Sequence, residues 1–249
     1  MFAAKRSGLL LVATLLLGQA TEAEERLAEP GHAFYFTRGI YGGAPGDEDW
    51  GPRWAVDYPK ADQQFLVALE RLTLVDAPDG ENAVRLDADR LRDYPFVYVL
   101  EVGSLILDER QAAALRDYLM AGGFMVIDDF WGDWDWDNFE HEMAKVFPEL
   151  PIVDVPLDHP VFHVFYSIDE VLQVPNVNQA RGGPTHEQDG RVPRVRGIFD
   201  DQGRLLVLIN WNTDLGDAWE WADDPEYPLR YSTYAFEIGI NFVIYSMIH

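Results

Sequence analysis

The sequence predicts an α/β protein organised around a parallel sheet. Residues 96–100 and 124–127 are unbroken apolar runs, the pattern of strands covered on both faces. Between them Ala112, Leu115, Tyr118 and Leu119 recur at helical spacing. Asp108 supplies an N-cap, and Gly122-Gly123 stops the stripe. Strand, helix and strand within roughly 30 residues make a right-handed crossover unit.

The remaining elements follow in order. Residues 24–31 are polar, and 33–37 form a short β-prone run ended by Arg38-Gly39. A glycine-rich loop over 42–51 leads to Trp50 and Trp54. Phe65, Leu66, Leu69 and Leu72 keep helical spacing over 61–72, with Pro59 and Asp62 at the start. After the crossover unit, 138–147 reads as a second helix closed by Pro148, and 169–174 as a short, weakly patterned element. Residues 194–199 and 205–209 flank Asp200-Asp201-Gln202-Gly203, a hairpin turn. Phe236, Ile240, Val243 and Met247 mark a C-terminal helix, and Glu237 and Asn241 within it indicate a docked core helix rather than an anchor. With no repeat and no linker, residues 24–249 read as one domain.

The start of the chain carries an export signal. Lys5 and Arg6 precede an apolar run over 8–17, and Thr21-Glu22-Ala23 offers a small-residue cleavage site. The run falls short of the roughly 20 apolar residues of a membrane span. A periplasmic or secreted product is expected. Cleavage after Ala23 removes two of 19 basic and one of 43 acidic residues, leaving a net charge of −25. That charge repels nucleic acid and anionic membranes, whose binding needs clustered Lys and Arg. The chain has no cysteine, which removes disulfides, thiolate metal ligands and cysteine nucleophiles together.

Seven ordered motifs carry a family resemblance: Phe36-Thr37-Arg38; Asp57-Tyr58-Pro59 with Ala61-Asp62; Tyr94-Pro95-Phe96; Leu115-Arg116-Asp117-Tyr118-Leu119; Gly122-Gly123-Phe124; Asp128-Asp129-Phe130-Trp131-Gly132; and Leu215-Gly216-Asp217-Ala218-Trp219-Glu220. From about Phe34 to its end the chain resembles the domain of unknown function 4159 family. These are exported bacterial proteins related to a C-terminal module of some aerotolerance-type membrane proteins. That family is similar in fold to class I glutamine amidotransferases and trehalose-utilisation-type proteins, and His159-Pro160 followed by Asp169-Glu170 looks like a segment of the latter. The resemblance implies a flavodoxin-like, mostly parallel sheet with helices on both faces. Glutaminase chemistry is excluded, because its thiolate has no cysteine to come from. Ser104 is no substitute, since Val102 and Ile106 stand where a nucleophile elbow needs glycine.

In such a sheet ligands bind beyond the carboxyl ends of the strands, where the run 124–127 delivers Asp128 and Asp129. All eight tryptophans lie in three acidic segments. Trp50 and Trp54 accompany Asp57; Trp131, Trp134 and Trp136 alternate with Asp133, Asp135 and Asp137; Trp211, Trp219 and Trp221 accompany Asp214, Asp217 and Glu220. Three uses fit this composition. The indoles can pack under long loops while the carboxylates are solvated. They can stack on a polyhydroxylated ligand such as a glycan, or a cell-envelope component, whose hydroxyls the carboxylates accept. The expected ligand-binding set is then Arg38, Asp128, Asp129, Trp131, Asp217, Trp219 and Glu220, with Arg38 as counter-charge. Third, Asp133, Asp135 and Asp137 have the 1-3-5 spacing of a calcium loop. Asn138 and Ala144 stand where an EF-hand needs glycine and glutamate, so only an irregular calcium site survives and no other cofactor is expected. His159 and His163, read as extended, lie too far apart for one metal. The expectation is an exported, non-catalytic binding or envelope-accessory protein. The alternative is a carboxylate-dependent hydrolase using a pair such as Asp128 with Asp217.

Overall fold

The computed structural model describes residues 24–43 and 51–249. The predicted signal peptide and Trp50 lie outside the described residues. Seven strands form one sheet: β1 (Arg38–Ile40), β3 (Ala83–Arg85), β4 (Phe96–Leu100), β6 (Phe124–Asp128), β7 (Ile152–Asp154), β8 (Arg194–Phe199) and β9 (Leu205–Trp211). Their order is β3-β1-β4-β6-β9-β8-β7. The pairs from β3 to β9 are parallel, and the hairpin β8–β9 and strand β7 extend the sheet antiparallel. Counted along the chain, the five parallel strands run 2-1-3-4-5, the flavodoxin order, whose switch point falls between β1 and β4. A separate ribbon pairs β2 (Gly42–Gly43) with β5 (Leu105–Ile106).

Alternation of side chains through each strand divides the core in two. Phe96, Tyr98, Phe124, Val126 and Leu208 face α1 (Lys60–Leu72), α5 (Leu215–Glu220) and α6 (Leu229–Ile248). Val97, Val99, Met125, Ile127 and Val207 face α2 (Glu109–Met120) and α3 (Gly132–Val146). One further helical turn is α4 (Val177–Ala180). Helices therefore cover both faces. No helix among the described residues is long and apolar enough to cross a membrane.

Most elements lie where the pattern puts them, and the exceptions have physical causes. The Asp108 side chain accepts from the Gln111 amide in a full capping box at the start of α2. The first strand begins at Arg38 rather than spanning 33–37, since Phe34 bonds outside the sheet, its amide donating to Asp76 O at 3.0 Å. Helix α3 begins at Gly132, six residues before the expected start. Asp133 and Asp135 in its first turn complement the positive helix N-terminus, so a stretch that reads as loop is helical. Residues 169–174 form no regular element, and Pro160–Phe162 is a single 3-10 turn rather than extended. His159 shapes that turn by accepting from the Val161 amide at 3.2 Å.

Candidate functional site

Three adjacent parallel strands end in the same strained way. Glu101 after β4, Asp129 after β6 and Asn212 after β9 all hold left-handed backbone, with φ of 54°, 49° and 64°. Asp and Asn tolerate this region through local side-chain bonding, whereas Glu101 pays roughly 1–2 kcal/mol. The turns hold one another. Glu101 N donates to Asp129 O (3.0 Å), Asp129 N to Thr213 O (3.2 Å), and Asn212 N to Phe130 O (3.1 Å). The Asn212 side chain also accepts from Gly132 N at 2.8 Å. Gly132 has φ +76°, and a Cβ there would stand 2.0 Å from Asp189 Oδ1, so glycine is required where α3 begins.

Asp128 is the last residue of β6 and is completely buried. Its Oδ2 accepts from Tyr98 OH (2.5 Å), Leu215 N (2.8 Å) and Gly216 N (3.2 Å), which fastens α5 to the sheet. Its Oδ1 has no hydrogen-bond partner. Burial pushes its carboxyl up to about 7, against the pull of those three donors.

The crevice beside it is lined by carboxylates from three separate segments. Oxygens of Asp57, Asp129 and Asp214 all lie within 4.8 Å of one another, and so do oxygens of Asp57, Asp217 and Glu220. Asp57, itself at φ 60°, precedes α1, and its buried Oδ2 has no partner. That oxygen approaches Gly216 so closely that a Cβ there would stand 2.4 Å from it. Asp129 Oδ1 accepts from Trp131 Nε1 at 3.0 Å. Asp214 caps α5 through the Asp217 amide at 2.7 Å. Asp217 accepts from Val177 N at 2.6 Å and from Trp221 Nε1 at 3.0 Å. Asp57, Asp129 and Asp214 are held well above the usual carboxylate range, by burial first and then by a neighbouring carboxylate, Asp217 beside Asp57, Glu101 beside Asp129 and Asp129 beside Asp214. Asp217 and Glu220 are raised in the same direction, again chiefly by burial.

Of the expected set, Asp128, Asp129, Asp217 and Glu220 meet at this one edge of the sheet. Three others play different parts. Arg38 is wholly buried and paired with Asp62 rather than with Asp128 or Asp129. Its guanidinium also donates to Val56 O at 3.2 Å and lies over the rings of Tyr58 and Tyr98. Trp219, 1% exposed, packs against Phe36, Phe65 and Tyr98, and Trp131 is 3% exposed. Neither indole has a face open for stacking, because burial in the core is where their area gains most. The half-exposed indole at the crevice is Trp221, with Lys60 and Arg181 over its ring. Asp133, Asp135 and Asp137 lie on α3, where residues two apart point about 200° from each other. Asp133 and Asp137 are exposed, while Asp135 turns inward to accept from Trp131 N and Gln188. They do not converge on one point.

Asp57 and Asp214 are the members that sequence reasoning did not single out. Each stood in an acidic, tryptophan-bearing segment, which was the only available signal. Ser104 Oγ donates to the Glu101 carbonyl at 3.3 Å, so its proton is directed to the backbone rather than to a base.

Fold and crevice together define a protein of flavodoxin strand order whose sheet-edge site is built from carboxylates. The chain belongs to the family described as domain of unknown function (DUF4159), whose model matches residues 41–247. No curated protein matches it.

Proposed function

We propose that this is an exported binding or envelope-accessory protein, on a degenerate amidotransferase-like scaffold, that takes a polyhydroxylated ligand such as a glycan in its acidic crevice. The convergence of Asp57, Asp129, Asp214, Asp217 and Glu220 at the carboxyl edge of the sheet carries this reading. Carboxylates accept charge-assisted hydrogen bonds from hydroxyl groups, and Trp221 offers a partly open indole beside them. The absence of any cysteine removes the thiolate on which amidotransferase catalysis depends.

The test is a glycan array followed by calorimetry on the ligand it returns. Glu220→Gln and Trp221→Ala are expected to weaken binding by about tenfold, the effect of losing one buried polar partner or one anchoring ring. Equal affinity in wild type and both variants would remove the crevice from the interaction. Export predicts that protein purified from its native host begins near Glu24 by mass spectrometry; a chain retaining Met1 contradicts it.

A second reading, a carboxylate-dependent hydrolase, is favoured by two observations. Asp129 occupies a strained strand-to-helix elbow, and oxygens of Asp217 and Glu220 lie within 4.8 Å of each other, a spacing near the roughly 5 Å of retaining glycosidases. Product release from the same array ligands separates turnover from binding.

A further inference from the structure

We propose that Asp57, Asp129 and Asp214 bind one hard divalent cation, with calcium as the best-fitting ion. Oxygens sharing a calcium ion at about 2.4 Å lie no more than about 4.8 Å apart, and the three residues meet that limit. They come from three different parts of the chain: the turn three residues before α1, the elbow after β6 and the cap of α5. Asp129 and Asp214 are buried. The donor set is all oxygen, without histidine or cysteine, which selects hard ions over zinc or copper.

A second, independent observation points to a missing positive partner. Asp57 Oδ2 is shielded from solvent and has no hydrogen-bond donor, and the same holds for Oδ1 of Asp128, a residue wholly buried at the strand end next to Asp129. The donors that do reach these carboxylates serve other oxygens of the group. Trp131 Nε1 serves Asp129, the Asp217 amide serves Asp214, and the Leu215 and Gly216 amides serve Asp128 Oδ2. Arg38, the fully buried cation near the cluster, is held by Asp62. Buried carboxylates need a paired charge or a metal ion, and a cation among these oxygens supplies it. Asp217 and Glu220 share Asp57 as a neighbour, and the partly exposed Glu220 carries the negative field toward solvent.

The inference rests on the crevice being the ligand site but not on glycan recognition. Terbium is the probe, because the indole of Trp131, bonded to Asp129, and that of Trp221, bonded to Asp217, lie close enough to sensitise its luminescence. The mature chain, stripped with EDTA, is expected to show saturable terbium luminescence that calcium displaces. Asp129→Asn and Asp214→Asn should each weaken binding by about tenfold or more, while Asp133→Asn combined with Asp137→Asn, both exposed on α3, should leave it unchanged. Asp57→Asn is the check on folding. Its Oδ2 has no partner to lose, so the variant keeps its circular dichroism spectrum while losing terbium. Absence of a saturable signal in wild type, or equal affinity in the three crevice variants, overturns the proposal. Glycan binding that persists in EDTA alongside no terbium signal overturns the cation alone. Terbium binding without any glycan ligand leaves the cation standing and removes the glycan reading.

Discussion

Arg38→Met is expected to destabilise the protein by about 3–5 kcal/mol, read as a lower urea midpoint at unchanged slope. The guanidinium is wholly buried against an almost equally buried Asp62, and removing it leaves that carboxylate in an apolar setting without a counter-ion. For a fold of typical stability, 5–15 kcal/mol, the loss is a large fraction of the total. Asp62→Leu combined with Arg38→Met is expected to recover most of it, since an apolar pair leaves no stranded charge. A single variant costing under about 1 kcal/mol would show that solvent reaches the pair. The arginine belongs to the framework under the crevice, and Tyr98, whose ring it lies over, connects it to Asp128 through the tyrosine hydroxyl.

In EDTA the protein is expected to be more stable at pH 5 than at pH 8. The Asp128 carboxyl rises from 3.8 to about 7 in the fold because burial disfavours its charged form. Below pH 3.8 both folded and unfolded states hold the proton, and its contribution to stability is fully present. Between 3.8 and about 7 only the folded state keeps it, so stability falls as pH rises. Above about 7 the contribution is gone. At about 1.4 kcal/mol per unit, Asp128 alone accounts for an upper bound of about 3 kcal/mol between pH 5 and about 7. Asp57, Asp129 and Asp214 are raised in the same direction and steepen the fall. Urea midpoints at pH 5, 6, 7 and 8 measure it, and Asp128→Asn should flatten the profile. A midpoint that stays level or rises with pH contradicts the buried carboxylates as the source.

The sheet was legible because its central strands are covered on both faces. Nothing polar interrupts Phe96–Leu100, and Gly122-Gly123 marks where the next strand begins. The hairpin turn over 200–203 was legible for the same local reason. Phe34 and Phe36 suggested a strand just before the real one, because both pack on the sheet face against Phe96 whether or not their own backbone joins the sheet. The acidic run before Asn138 suggested a loop, because aspartate suits both turns and the first turn of a helix. At the site, Asp128 and Asp129 could be found by following a strand to its carboxyl end. Asp57 and Asp214 could not, since their approach depends on how α1 and α5 dock against one another. Trp131 and Trp219 were misjudged because composition does not separate an indole that packs from one that waits for a ligand.

The interlocked turns at Glu101, Asp129 and Asn212 carry a mechanical consequence. Each turn closes a hydrogen bond to the loop of its neighbour, so no one of them can swing out without breaking the seal of the next. Displacing the end of β4, β6 or β9 therefore breaks a hydrogen bond that also holds a neighbouring end. A change that moves Asp129 is therefore felt at the ends of three strands.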